Sequence, residues 1–187
     1  MLLFVFVLLG IVIGMAMNRY QGKKDQLRNV SNLSGLWFPI AGLLLELPFS
    51  YFPAFALEFN WLLVSLSSLC VFLFLIVNRR RWLADSLIAA GTVCNYCVIA
   101  FNHFRMPVSL SALAVYPGMT AEAVYAKKVK YFIASGDVKL PFLGDMIPVQ
   151  LPILGGFISV GDVLLSFGVM IFIILVLTEK QPKHYSK

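Results

Sequence analysis

The sequence predicts an all-α membrane protein of five transmembrane helices, running N-out and C-in, with a partly ordered extracytoplasmic segment. Three observations carry that prediction. Of 187 residues, 60% are hydrophobic and 13% charged, with a mean hydropathy of +0.86, which leaves too few charges to cover a water-exposed surface. The apolar residues gather into five segments near the roughly 20 residues that a helix needs to cross hydrocarbon with its backbone satisfied. Basic residues then collect on alternate sides of those segments. The same composition excludes a disordered chain, and it excludes a nucleic-acid module, whose basic residues would line a polar face.

The first segment, Leu2 to Met17, has its basic residues after the apolar run rather than before it, unlike a signal peptide, and is expected to remain as a span. Gly10 and Gly14 form a small-x-x-x-small pair that lets helices approach closely. Packing within the monomer is the first expectation for it, and a homo-oligomer or membrane-protein partner the second. The second segment, Leu36 to Leu57, contains Pro39, Pro48 and Pro53, which make it irregular; Pro48 frees the carbonyl of Leu44. Glu46 lies near its middle, where an ionised acid costs about 2.5 to 3.5 kcal/mol, so this intramembrane acid should be neutral, paired or solvated. It either donates to a freed carbonyl or serves a proton or ligand.

The third and fourth segments, Trp61 to Val77 and Trp82 to Phe101, are joined by a turn holding Arg79, Arg80 and Arg81. Asp85, close to those arginines, is expected as an interfacial ion pair or a cap. Cys94 and Cys97 share one helix face at i, i+3, but they lie inside the span without a cation or helix start to lower a thiol pKa, and read as inert. Asn95 and Tyr96 are expected to hydrogen-bond across helices. The fifth segment runs from Val160 to Leu177. Trp37, Trp61 and Trp82 stand at segment ends, where amphipathic rings prefer the headgroup level.

Arg19, Lys23, Lys24 and Arg28, the triple arginine, and Lys180, Lys183 and Lys187 are assigned to the cytoplasm; Glu58 to Asn60, without Lys or Arg, faces outward. The chain then divides into a four-span bundle (1–101), an extracytoplasmic segment (102–159), a fifth transmembrane helix (160–178) and a cytoplasmic tail (179–187). The net charge of +6 follows from this topology and from anionic headgroups, at about 1 kcal/mol for each nearby basic residue. The lipid bilayer is the expected partner, and nucleic acid is not.

The outer segment is too long for a structureless connector. Pro107 pushes Met106 toward extended backbone, and Val108 and Leu110 alternating with Ser109 and Ser111 fit a short strand. Ile147, Pro148, Val149, Gln150 and Leu151 repeat that pattern, so the two pieces are expected to pair or to lie together on the membrane surface. Between them Tyr116-Pro117-Gly118 reads as a turn, Thr120 as an N-cap, and Ala121 to Ala134 as an amphipathic helix ending at Gly136. Its apolar face would hold Val124, Tyr125, Val129, Phe132 and Ile133, with Lys127 and Lys130 opposite.

Two Gly-Asp pairs follow, Gly144-Asp145 and Gly161-Asp162. Ser159 is a natural N-cap for the fifth span with Asp162 at its third position, and Asp145 is an ordinary turn residue. Alternatively the two acids meet, share a proton and activate water, as catalytic carboxyl pairs do. Asn102, Arg105 and Ser159 are candidate ligand-binding residues, with Asn102 and Arg105 facing the two acids. An arginine there favours ionised carboxylates and suits a polar or lipid headgroup better than a proton-sharing pair. No cofactor is implied and no metal set is visible, since His103 and His184 fall on opposite sides of the membrane.

The stretch N-x-x-R-M-P-V at Asn102 to Val108, the L-G-D at Leu143 to Asp145 and the S-x-G-D-V-L-L at Ser159 to Leu165 resemble those of a family of small bacterial multi-span membrane proteins classed as a domain of unknown function. The resemblance covers most of the chain and implies a multi-pass protein of the bacterial plasma membrane. Leu143 to Ile147 and Phe157 to Val163 are more faintly similar to the two acid-bearing stretches of the lipoprotein signal peptidase. That resemblance implies an intramembrane aspartic hydrolase with Asp145 and Asp162 as the catalytic acids. Ile158 and Gly161 depart from that family's Asn and Ala, the spans number five rather than four, and its Asn-rich segment is missing. The functional expectation is a polar site at the outer interface in a binding or accessory role, with the hydrolase as alternative and a proton-coupled carrier through Glu46 behind both.

Overall fold

The computed structural model describes residues 2–21, 26–110, 129–149 and 156–179. In chain order its helices are α1 (Leu2–Tyr20), α2 (Gln26–Ser31), α3 (Trp37–Leu44), α4 (Pro48–Tyr51), α5 (Pro53–Glu58), α6 (Asn60–Val77), α7 (Trp82–Phe101) and α8 (Val160–Thr178). Four of them, α1, α6, α7 and α8, are long and apolar enough to cross a membrane. Only 17% of the apolar window of α1, and the same share of α6, is buried; the rest presents side chains such as Phe4, Val12 and Ile76 outward, where hydrocarbon suits them and water does not.

The second expected span is not one helix. Pro48 and Pro53 open α4 and α5, positions where a missing N–H is harmless but the preceding helix cannot run through. Residues 45–47 form a turn between α3 and α4. The broken segment nevertheless runs the length of α6 in the opposite direction. At one end the Ser34 N–H donates to Asn78 Oδ1 at 3.1 Å and Asn78 Nδ2 donates to the Ser34 carbonyl at 2.7 Å. Midway, the Ser67 hydroxyl donates to the Gly42 carbonyl at 3.2 Å.

Helix α8 lies between α1 and α7. It is parallel to α1: Phe6 meets Phe167 edge to face at 4.7 Å, Gly10 abuts Met170 and Ile173, and Gly14 abuts Leu177. The small-residue face of α1 is therefore filled inside the chain. Against α7 the packing is antiparallel and closer still. A Cβ on Gly91 would come within 2.5 Å of the Gly161 carbonyl, and one on Gly168 within 2.7 Å of the Ile88 nitrogen.

Arginines gather at one end of the bundle. There Arg81 forms an ion pair with Glu179 and lies 5.0 Å from the Phe172 ring. Asp85 acts as a cap, its Oδ2 accepting from the Arg81 N–H at 3.0 Å. Leu75, Ala84, Ile88, Phe172 and Val176 form the largest buried cluster near this end.

The opposite end carries short strands: β1 (Met106–Val108), β2 (Tyr131–Ile133), β3 (Ile147–Val149) and β4 (Gly156–Ile158). Both Pro-Val pieces are extended as expected, but they do not pair with each other. Strand β1 pairs in parallel with β2, and β3 pairs antiparallel with β4. The amphipathic helix expected from Ala121 to Ala134 is corrected at its end: residues 129–130 form a turn and Tyr131–Ile133 is strand. Aromatic and β-branched residues favour that state, and β1 offers an edge for it, with the Met106 N–H donating to the Lys130 carbonyl at 2.8 Å. The rest of that helix, with Tyr116-Pro117-Gly118, Thr120, Val124, Tyr125 and Lys127, lies outside the described residues.

Substitution at the α7–α8 crossing tests this packing. Gly161→Ala places its Cβ 2.0 Å from Asn95 Oδ1 and is expected to destabilise by about 1 to 3 kcal/mol or more, read as an earlier midpoint in denaturant. Gly156→Ala, whose Cβ meets nothing within 4 Å among the described residues, should leave the midpoint within about 0.5 kcal/mol.

Candidate functional site

Neighbouring helices form a row, α3, α6, α7, α8 and α1, and the row curls so that its members face one cleft of about 1850 Å³. The cleft exceeds the roughly 300 to 1,000 Å³ of an ordinary small-molecule pocket. Along most of its length the walls are apolar, as at Leu43, Val71, Val169 and Ile173. Near the strand-bearing end Glu46, Asn95, Lys130, Tyr131, Asp145 and Asp162 line the same cleft.

Asp162 is placed by the start of α8. The Ser159 hydroxyl accepts from the Asp162 N–H at 2.9 Å, and Asp162 Oδ2 accepts from the Ser159 N–H at 3.2 Å, the reciprocal box expected from the sequence. Asn95 of α7 then joins both members. Its Nδ2 donates to Asp162 Oδ1 at 2.8 Å, and its Oδ1 accepts from the Ser159 hydroxyl at 2.8 Å. Only the glycine at 161 allows the Asn95 amide this close.

Asp145 is placed by β1. Its N–H donates to the Pro107 carbonyl at 2.9 Å, and its carbonyl accepts from the Ser109 N–H at 3.2 Å, so its backbone forms a third rung beside β1 and β2. Gly144 passes so close to β1 that a Cβ there would sit 2.7 Å from the Pro107 carbonyl. The Met-Pro-Val and Gly-Asp motifs therefore hold one another. The Asp145 side chain is 6% exposed, and its Oδ1 has no hydrogen-bond partner among the described residues. Burial, and then the negative charge of Asp162, push its carboxyl up to about 8, with Lys130 opposing. At neutral pH Asp145 is therefore protonated.

Glu46 is paired, the second of its three expected states, through an ion pair with Lys130. Lys130 also lies 5.5 Å from the Phe49 ring. Burial pulls its ammonium down, but the charge and hydrogen bond of Glu46, with Tyr131 and Asp145, together outweigh that and hold it above its ordinary value. Both side chains are about a third or more exposed, so the pair contributes at most about 1 kcal/mol.

Asn102 and Arg105 do not line the cleft. Asn102 Nδ2 donates to the Val98 and Lys139 carbonyls at 2.7 and 2.8 Å, and its Oδ1 accepts from the Lys139 N–H at 3.0 Å, fastening the outer segment to the end of α7. Arg105 turns to β2, donating to the Tyr131 carbonyl at 3.0 Å and lying 5.5 Å from the Phe132 ring. The structure thus brings Asp145, Asp162 and Glu46 to one end of the cleft, with Ser159 fully buried behind Asp162 and without the two residues expected to face the acids. Asn95 and Lys130 belong there instead. A polar amide inside an apolar span is the available signal for Asn95; Lys130 is expected on the polar face of a helix, and the chain there is a turn that leads into β2. Among the described residues no three His, Cys, Asp or Glu side chains converge to hold a metal.

A carboxyl raised on folding sets a direction with pH. The folded state keeps the Asp145 proton to about 8 while the unfolded chain releases it near 3.8, so its contribution to stability is full below about 3.8 and is lost as pH rises through about 8. Thermal stability should fall over that window by at most about 1.4 kcal/mol per pH unit from this group. Asp145→Asn should flatten the profile and surpass the parent at pH 8.5. An unchanged slope in that variant means that Asp145 is not the titrating group.

Neither a curated protein nor a solved structure matches the chain. One family model does, described as a family of unknown function, DUF5317, over residues 30–174. That match takes in the broken second segment, α6, α7, both Gly-Asp pairs and most of α8, and on this basis the chain belongs to the DUF5317 family.

Proposed function

We propose that this is a multi-pass protein of the bacterial plasma membrane that binds a lipid or lipid-linked molecule in its lateral cleft, in a binding or accessory role, with the polar part of the ligand at the outer interface. The cleft carries this reading. It is apolar for most of its length and polar at one end, the distribution of an amphipathic ligand. The broken segment 36–58 counts as a fifth crossing because it spans the length of α6. The arginine-bearing end, with Arg19 and Arg79 to Arg81, is then cytoplasmic, and the strand-bearing end with Asp145 faces out.

A second reading, an intramembrane aspartic hydrolase using Asp145 and Asp162, is favoured by one observation. Both carboxyls line one cavity in environments that keep Asp145 protonated, the arrangement from which an acid and a base can act together. Arg105 is turned away from them. The reading requires a water between the acids and a scissile carbonyl held in the cleft.

Val64 and Val169 line the cleft on α6 and α8. Tryptophan at either position should reduce co-purified phospholipid several-fold, measured by native mass spectrometry, at an unchanged melting temperature. Retention that neither substitution alters would remove the binding reading. For the hydrolase, Asp162→Asn should abolish turnover of a lipid-linked peptide reporter while the variant keeps the parent's helical content.

A further inference from the structure

Resting on the cleft reading, we propose that the polar end selects a phospholipid whose headgroup ends in a primary ammonium, with the ammonium between Asp145 and Asp162 and the phosphate at Lys130. The charges lining the cleft decide the sign. Among the described residues that line the cleft, Lys130 is already paired with Glu46, so Asp162, beside the neutral Asp145, is left to set the sign. An anionic headgroup would meet excess negative charge, whereas a zwitterion places its cation against the acids and its phosphate against the lysine.

The orphaned atom decides the donor. Asp145 lines the cleft, its Oδ1 is buried and has no partner among the described residues, and leaving such an atom unsatisfied costs free energy that a ligand donor would recover. Each Asp162 oxygen takes one bond from the protein, from Asn95 and from the Ser159 N–H, and retains acceptor capacity. An ethanolamine ammonium brings three N–H donors to these acceptors. A choline headgroup carries the same charge without any. Lys130 lies at the same end, half-exposed and anchored by Glu46, as a cation for a phosphate that both lipids share.

The test uses the full chain in mixed micelles with dioleoyl phosphatidylethanolamine, its N-monomethyl and N,N-dimethyl derivatives, and dioleoyl phosphatidylcholine, with retained lipid counted by native mass spectrometry. Retention should fall stepwise along the series, by about tenfold from end to end, as expected when a charged hydrogen bond is lost. Asp145→Leu, which removes the acceptor and nearly keeps the shape, should compress that ratio toward unity, and Lys130→Met should lower retention of all four lipids while keeping the ratio. Equal retention of all four by the parent chain overturns the headgroup inference and leaves the cleft reading standing. A ratio that survives in Asp145→Leu also overturns it. No retention of any lipid overturns both, and the methylation series decides the matter even if a variant fails to fold.

Discussion

The close approach of α7 to α8 is the contact on which the rest of the structure depends. Lipid tails are as apolar as leucine, so helices in a membrane associate through packing and interhelical hydrogen bonds rather than by escape from water. Gly91, Gly161 and Gly168 bring the two backbones close enough for that packing to be dense. At the same separation the Asn95 amide reaches both members of the Ser159–Asp162 box. One crossing therefore fixes the start of α8, orients Asp162 toward the cleft and sets one wall of the cleft.

The second acid is held by an unrelated device. Asp145 owes its place to strand pairing: β1 binds β2 on one edge and the Gly144–Asp145 backbone on the other. Two carboxyls with different supports acquire different surroundings. Asp162 receives donors on both oxygens, while Asp145 is buried with one oxygen bare. Solvation and hydrogen bonding, more than mutual repulsion, distinguish the two acids, since burial is the leading cause of the Asp145 shift. A helix start and a strand rung thus present chemically unequal groups to one cavity.

The long helices were legible because apolar length is a strong signal, and the bounds read for α6 and α7 fall within a residue of those observed. The cap at Ser159 was legible because its partner lies three residues away. Residues 36–57 were harder. Their apolar run says that they belong to the bundle, whereas Pro48 and Pro53 decide that they do so as three pieces, and hydropathy weighs a proline's side chain rather than its missing N–H. Tyr131 to Ile133 fitted a helical face as well as a strand, since three residues carry too little periodicity to choose. Arg105 was misplaced because one sequence does not show that β2 would offer the Tyr131 carbonyl and Phe132 ring. The Gly144 to Pro107 contact spans two motifs that sequence spacing alone could not join.

The parallel pairing of α1 with α8 has a consequence for how the molecule is made. Helix α1 is made before α8 and packs against it, through Gly10 and Gly14 on one side and Met170 to Leu177 on the other. Its small-residue face stays without its native neighbour until α8, which begins at Val160 long after α1 ends at Tyr20, has been made. Closure of the bundle is then a late, long-range event, slower in kind than the docking of adjacent hairpins such as α6 and α7. A pause or truncation before residue 160 would leave an inserted but open bundle, with the cleft lacking the walls that α1 and α8 supply together.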